Sequence, residues 1–300
     1  MTHVDQARGN RRGWRGFWEV GGLWRALAAA GIFVVVTFGM GWLLPVLTGV
    51  EAEADATLGG FWTMAVGGIL PPAIAGIVTL LLVRSLGWTR EIFGPQPVRF
   101  RRRGLWIGLG LIVALLAVRL VIVDYGSISL GTIGLLAVFV ACVGFSEELA
   151  FRGVVTQLLR RGGDRERDVA LGASAIFALV HVGNWVGLEG LSPINGIGIV
   201  FQLVFAFACG VLFHVVLVLT GRLVWPMVLH AAIDFASLAV VAQGVDLLPG
   251  EGAVGAALTV IFTLMAVVIG ITMLFLIDGR VGREAYGLPE PDPERAQTTS

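Results

Sequence analysis

Residues 131–159, GTIGLLAVFVACVGFSEELAFRGVVTQLL, decide how the whole chain is read. From Gly131 to Ser146 the run carries no charge, and then Glu147, Glu148 and Arg152 appear inside it. About 20 apolar residues form a helix that crosses a hydrocarbon core of roughly 30 Å, and this run exceeds that length. Its last turns are therefore expected to emerge from the bilayer as an amphipathic end. Ionisable groups within such a helix cost about 2.5–3.5 kcal/mol each on insertion scales, so each needs a partner or a task.

The rest of the chain agrees with a membrane reading. Its 300 residues are 56% hydrophobic and 14% charged, with a mean hydropathy of +0.86. Soluble domains carry roughly 45–50% apolar and about 25% charged residues. The 21 basic residues, all arginine, balance 21 acids, so no global basic field exists to hold nucleic acid. Cys142 and Cys209 both lie in apolar runs, which excludes a disulfide scaffold. Eight stretches read as spans of an all-α polytopic protein: 26–47, 61–83, 105–123, 131–159, 169–186, 194–219, 223–242 and 253–277.

Charge orients the spans. The ends 1–25, 84–103, 160–168, 222 and 279–300 hold 19 of the 21 arginines. The loops 48–60, 124–130, 187–193 and 243–252 hold none, and contain Glu51, Glu53, Asp55, Asp124, Glu189, Asp246 and Glu251. Arginine stays on the cytoplasmic side, which puts both termini there and makes the span number even. The expected organisation is a cytoplasmic segment 1–25, a transmembrane domain 26–278 and a disordered tail 279–300. The first run is too long for a signal-peptide core and is read as a retained helix. The all-arginine basic complement and the Ala, Gly and Val content point to a GC-rich bacterial genome, hence a bacterial plasma membrane.

The polar residues inside the spans recur at helical spacing. Glu148 and Arg152 are four apart and share a face, which suits a structural ion pair. Glu147 lies about 100° away around the helix, has no partner within its own span, and is the better candidate for proton transfer. Phe177 and His181, with Asn184 one turn on, lie on the next helix; His230 and Asp234, again four apart, lie on the seventh. Counted at 1.5 Å per residue, Glu147, His181, His230 and Asp234 fall roughly 10–20 Å below the cytoplasmic surface. A carboxylate, two imidazoles and a second carboxylate at one depth suit activation of a water molecule against an amide. The histidines would either hold a zinc ion or orient the water and stabilise an oxyanion directly; a metal-free water is equally consistent.

The ordered set Glu147-Glu148…Arg152, Phe177…His181 and His230…Asp234 is similar to the motifs of the CPBP family, the CAAX proteases and bacteriocin-processing enzymes, which includes the type II CAAX prenyl endopeptidases. Thr220-Gly221-Arg222-Leu223 with Trp225-Pro226 resembles the turn that introduces the last motif. The likeness covers residues 131–240. It implies an eight-helix membrane fold with a cavity open to the cytoplasm and an endopeptidase acting on a peptide or membrane-protein substrate in lipid. By position, Glu147 would activate water with His181, Glu148–Arg152 would brace the helix, and His230 with Asp234 would supply the oxyanion-binding group. Asp234 stands where many members have Asn; an ionised Asp cannot donate to an oxyanion, so it would act protonated or by orienting His230. His214 is a second departure, expected to snorkel to the near face.

Other readings fit less of the pattern. Gly172-Ala173-Ser174-Ala175 has the look of an intramembrane serine nucleophile, but leaves Glu147, Glu148 and Arg152 unexplained. Arg161-Gly162-Gly163-Asp164 lacks the first glycine of an aspartyl-protease element. A non-catalytic scaffold or immunity protein could use the same buried charges for packing alone. The residues give no reading of oligomeric state.

Overall fold

A computed structural model describes residues 13–50, 60–98, 102–185, 193–242, 253–281 and 283–286. The helices are α1 (Trp14–Glu19), α2 (Leu23–Thr48), α3 (Phe61–Leu86), α4 (Thr89–Phe93), α5 (Arg103–Val121), α6 (Leu130–Gly162), α7 (Glu166–Val180), α8 (Pro193–Thr220), α9 (Val224–Ala242) and α10 (Ala253–Leu274). No strand occurs among the described residues.

Six helices among the described residues are long and apolar enough to cross a membrane: α2, α3, α5, α6, most of α8, and α9. The fifth expected span is helical but shorter, and the eighth is helical over the 22 residues Ala253–Leu274. α7 has 15 residues, about 22 Å at the helical rise, and passes at His181 into a 3₁₀ turn, His181–Trp185. The described apolar part of α10 is Val260–Leu274.

α6 has 33 residues. Ser129 caps its start by accepting the Thr132 N–H at 3.1 Å, and Gly163, at φ 93°, ends it. Its second half is not an amphipathic surface helix. Every residue from Glu148 to Arg161 is buried, because α2, α3, α4 and α7 pack around it.

α8 is the hub. All residues from Ala208 to Leu219 are buried, as a helix apolar on every side requires, and α7, α9 and α10 surround it. Two glycines set the spacing of the bundle. A Cβ at Gly210 would lie 2.8 Å from the Cβ of Ser174 on α7. A Cβ at Gly144 would lie 2.8 Å from the Met227 carbonyl oxygen on α9. The second contact draws α9 against α6 one turn before Glu147.

The first residues of the expected tail contact the bundle. Glu166 N–H donates to the Gly279 carbonyl at 2.9 Å, Arg165 and Arg280 form an isolated antiparallel bridge, and Val281 is buried. Residues 287–300 lie outside the described ones.

Candidate active site

α6 turns its two adjacent carboxylates in different directions. Glu148 points into the core, fully shielded, where its Oε1 accepts from Arg152 Nη1 at 3.0 Å and from His230 Nδ1 at 2.9 Å. The backbone widens into a π-helix at Leu149–Val155, a distortion found mostly as single turns at functional sites. Arg152 lies over the rings of Phe177 (4.2 Å) and Phe213 (5.1 Å). Desolvated cation–π contacts of this kind are worth about 2 kcal/mol. The expected Glu148–Arg152 pair is present, and Glu148 does more than the pairing suggested: it bridges α6 to α9.

His230 occupies the centre of the group. Its ring stacks on Phe213, with centroids 4.6 Å apart and planes 21° apart, and meets Phe177 edge-on at 5.9 Å. With Nδ1 on Glu148, Nε2 faces outward to Asp234 Oδ2 at 3.4 Å and Glu147 Oε2 at 3.8 Å. The Glu147 and Asp234 side chains are 20% and 33% exposed, against 0% for Glu148, so the outward pair forms the accessible side of the cluster. Glu147 Oε2 has no hydrogen-bond partner among the described residues.

His181 ends α7 beside this group. Its Nδ1 lies 2.8 Å from the Phe177 carbonyl; a carbonyl only accepts, so Nδ1 carries the hydrogen, and when the ring is neutral Nε2 is the nitrogen with the free lone pair. The Phe177 ring touches His181 at 4.8 Å as well as His230, forming a wall common to both imidazoles. The structure thus gathers Glu147, Glu148, Arg152, Phe177, His230 and Asp234, with His181 at the edge; the side chain of Asn184 lies outside the described ones.

Among the described residues no group of three or more His, Cys, Asp or Glu side chains is placed to hold a metal. His181 and His230 each give Nδ1 to another partner, which leaves Nε2 as the ring nitrogen each would offer a ligand. Ser174, the serine of the competing reading, is buried in the contact with Gly210 and is a packing residue.

A second buried network lies nearer the arginine-rich end. Arg160 Nε donates to both Glu166 oxygens at 3.2 and 3.1 Å, and Nη1 donates to Gln96 Oε1 at 2.8 Å. His214 Nε2 meets Glu166 Oε1 at 2.9 Å. His214 is completely buried, so it does not snorkel; Glu166 supplies its partner inside the bundle. Burial alone pushes the Glu166 carboxyl up, but Arg160 and His214 outweigh it and hold it at about 2. Arg161 pairs with Glu91 and lies over the rings of Trp88 and Tyr286. Burial raises the Tyr286 hydroxyl.

Phe213 and the Glu166–His214 contact had no reading in the sequence. Phe213 is one apolar residue in an apolar run. A lone histidine in such a run did signal a need for a partner, without saying which.

Residues 129–236 match the sequence model of the Rce1-like type II CAAX prenyl endopeptidase family. No curated protein and no solved structure matches the chain. The matched segment runs from the cap of α6 to the middle of α9 and encloses Glu147, Glu148, Arg152, Phe177, His181, Phe213, His230 and Asp234. Over residues 129–236 the chain is thus similar to the Rce1-like type II CAAX prenyl endopeptidases, and this likeness together with its long apolar helices marks an integral membrane protein.

Proposed function

We propose that the protein is an intramembrane endopeptidase that hydrolyses a peptide bond with water activated by Glu147. The observation that carries this reading is the placement of Glu147 Oε2 beside His230 Nε2 at 3.8 Å while Glu148 holds the opposite ring nitrogen. That gap is too long for a direct hydrogen bond and suits a bridging water.

Glu147 takes a proton from the water as its oxygen attacks the carbonyl carbon, and the His181 Nε2 lone pair helps to orient that water. In its imidazolium form His230 donates from Nδ1 to Glu148 and presents Nε2–H to the developing oxyanion. Such donors are worth about 10²–10³ in rate. Asp234 holds Nε2 in line from one turn further along α9. As the tetrahedral intermediate collapses, the C–N bond breaks and Glu147 returns its proton to the leaving amine. The second proton of the water stays on the new carboxyl group and is lost to solvent as that product ionises.

The proposed setting is a bacterial plasma membrane crossed eight times, with both termini in the cytoplasm and the site in the cytoplasmic half. The arginine asymmetry supports this topology. The substrate would be a peptide or membrane protein reaching the accessible Glu147–Asp234 side. Purified protein in lipid nanodiscs, presented with labelled peptides, tests the function. Glu147→Gln should abolish cleavage and leave thermal unfolding unchanged; undiminished cleavage would show that the buried charges serve packing alone.

A further inference from the structure

We propose that Phe213 is a positioning residue of this site, whose ring fixes the plane of the His230 imidazole so that Nε2 stays directed at Glu147 and Asp234. The inference rests on the peptidase reading and concerns a side chain that neither motif nor charge marks. Phe213 lies on α8, which contributes none of the polar site residues.

The hydrogen bond to Glu148 restrains His230 at one atom, Nδ1. Rotation about the terminal torsion of histidine is broad rather than locked in a staggered well, so one bond leaves the ring free to pivot and carry Nε2 aside. A flat contact removes that freedom. Phe213 supplies it, at 4.6 Å and 21° from the imidazole. Phe177 meets the same imidazole only edge-on, at 81°, and cannot hold its plane in the same way.

Phe213 is itself held in place. It is only 1% exposed, with the Arg152 guanidinium over its ring and Phe177 against it edge-on at 6.3 Å. The same cation that pairs with Glu148 therefore also anchors the plate on which His230 rests. A space-filling role predicts that any apolar side chain of similar volume would serve. The positioning role requires a flat ring.

The test uses the full-length protein in nanodiscs with three variants: Phe213→Leu and Phe213→Met, which fill the space without a flat face, and Phe213→Tyr, which keeps the ring. Leu and Met should lower kcat about tenfold or more with KM within about twofold, and Tyr should recover kcat to within about threefold of the parent. Wild-type kcat in the Leu and Met variants, or a Tyr variant as slow as Leu, overturns the proposal.

A second readout does not depend on turnover. In protein carrying ¹³C-labelled histidine, the His230 ring signal, assigned by its loss in His230→Gln, should show the upfield ring-current shift of a stacked imidazole. Phe213→Leu should move that signal downfield; an unmoved signal refutes the stacking role. If the parent cleaves no peptide, the peptidase reading falls, and the NMR arm still decides whether Phe213 holds His230.

Discussion

His230 and Glu148 meet at 2.9 Å across the interface of α6 and α9, through a hydrogen bond to a carboxylate with no access to solvent. Arg152 shares the same Glu148 oxygen at 3.0 Å. One buried carboxylate therefore balances a cation and orients an imidazole, and the two duties can be separated by mutation.

Glu148→Ala should destabilise the protein by about 3–5 kcal/mol, because it leaves the Arg152 charge buried without its partner. The double replacement Glu148→Leu with Arg152→Met removes both charges and should recover much of that loss. It should not recover cleavage, since His230 still lacks its Nδ1 acceptor. Thermal unfolding in detergent beside peptide turnover reads both effects. A double variant as unstable as Glu148→Ala, or one with full turnover, would contradict the division of roles.

Gly144→Ala should weaken the site without touching a polar group. The new Cβ would come 2.8 Å from the Met227 carbonyl oxygen, and backbone cannot yield as a flexible side chain does. Overpacking of this kind costs about 1–3 kcal/mol. Separation of α6 from α9 should also draw His230 and Asp234 away from Glu147. Reduced melting temperature and reduced turnover together are expected, and an unchanged pair of values would show that this close approach does not set the spacing of the two helices.

Acid should loosen the end of the bundle through Glu166. Its carboxyl sits at about 2 in the folded protein against an ordinary value of 4.5. A depressed value means that the folded state favours the ionised form, so this stabilisation is fully present above about pH 4.5 and fades as pH falls through about 2. Glu166→Gln should lower stability at neutral pH and flatten the acid limb of an unfolding profile. A variant whose acid limb matches the parent's would remove Glu166 as its source.

Arg102 and Asp278 serve as the contrast. They form an ion pair at 3.1 Å with side chains 50% and 71% exposed. Pairs in such positions contribute about 0–1 kcal/mol, so Arg102→Ala should leave both unfolding and turnover close to the parent's. A loss comparable to that of Glu148→Ala would mean that the pair clamps the start of α5 to the residues following α10.

Much of this organisation is legible along the chain because lipid imposes local rules. A run such as Gly131–Ser146 without charge must be helical, since no water is present to satisfy exposed backbone. The i, i+4 pairs Glu148–Arg152 and His230–Asp234 follow from helical spacing alone, and so does the divergence of Glu147 from Glu148. Motif order identified the family segment for the same reason: each motif is a short pattern within one helix.

What the sequence alone determined, then, is a set of apolar helices and the helix face on which each ionisable side chain lies, because periodicity is a property of a single segment. Tertiary packing decided which faces meet. Glu148 reaches His230, His214 finds Glu166, Phe213 stacks on the imidazole, and the second half of α6 is enclosed by its neighbours. Each of these depends on the rotation and close approach of helices distant in sequence, set by contacts such as Gly144 against Met227. Spacing along one helix carries no information about the rotation of its neighbour.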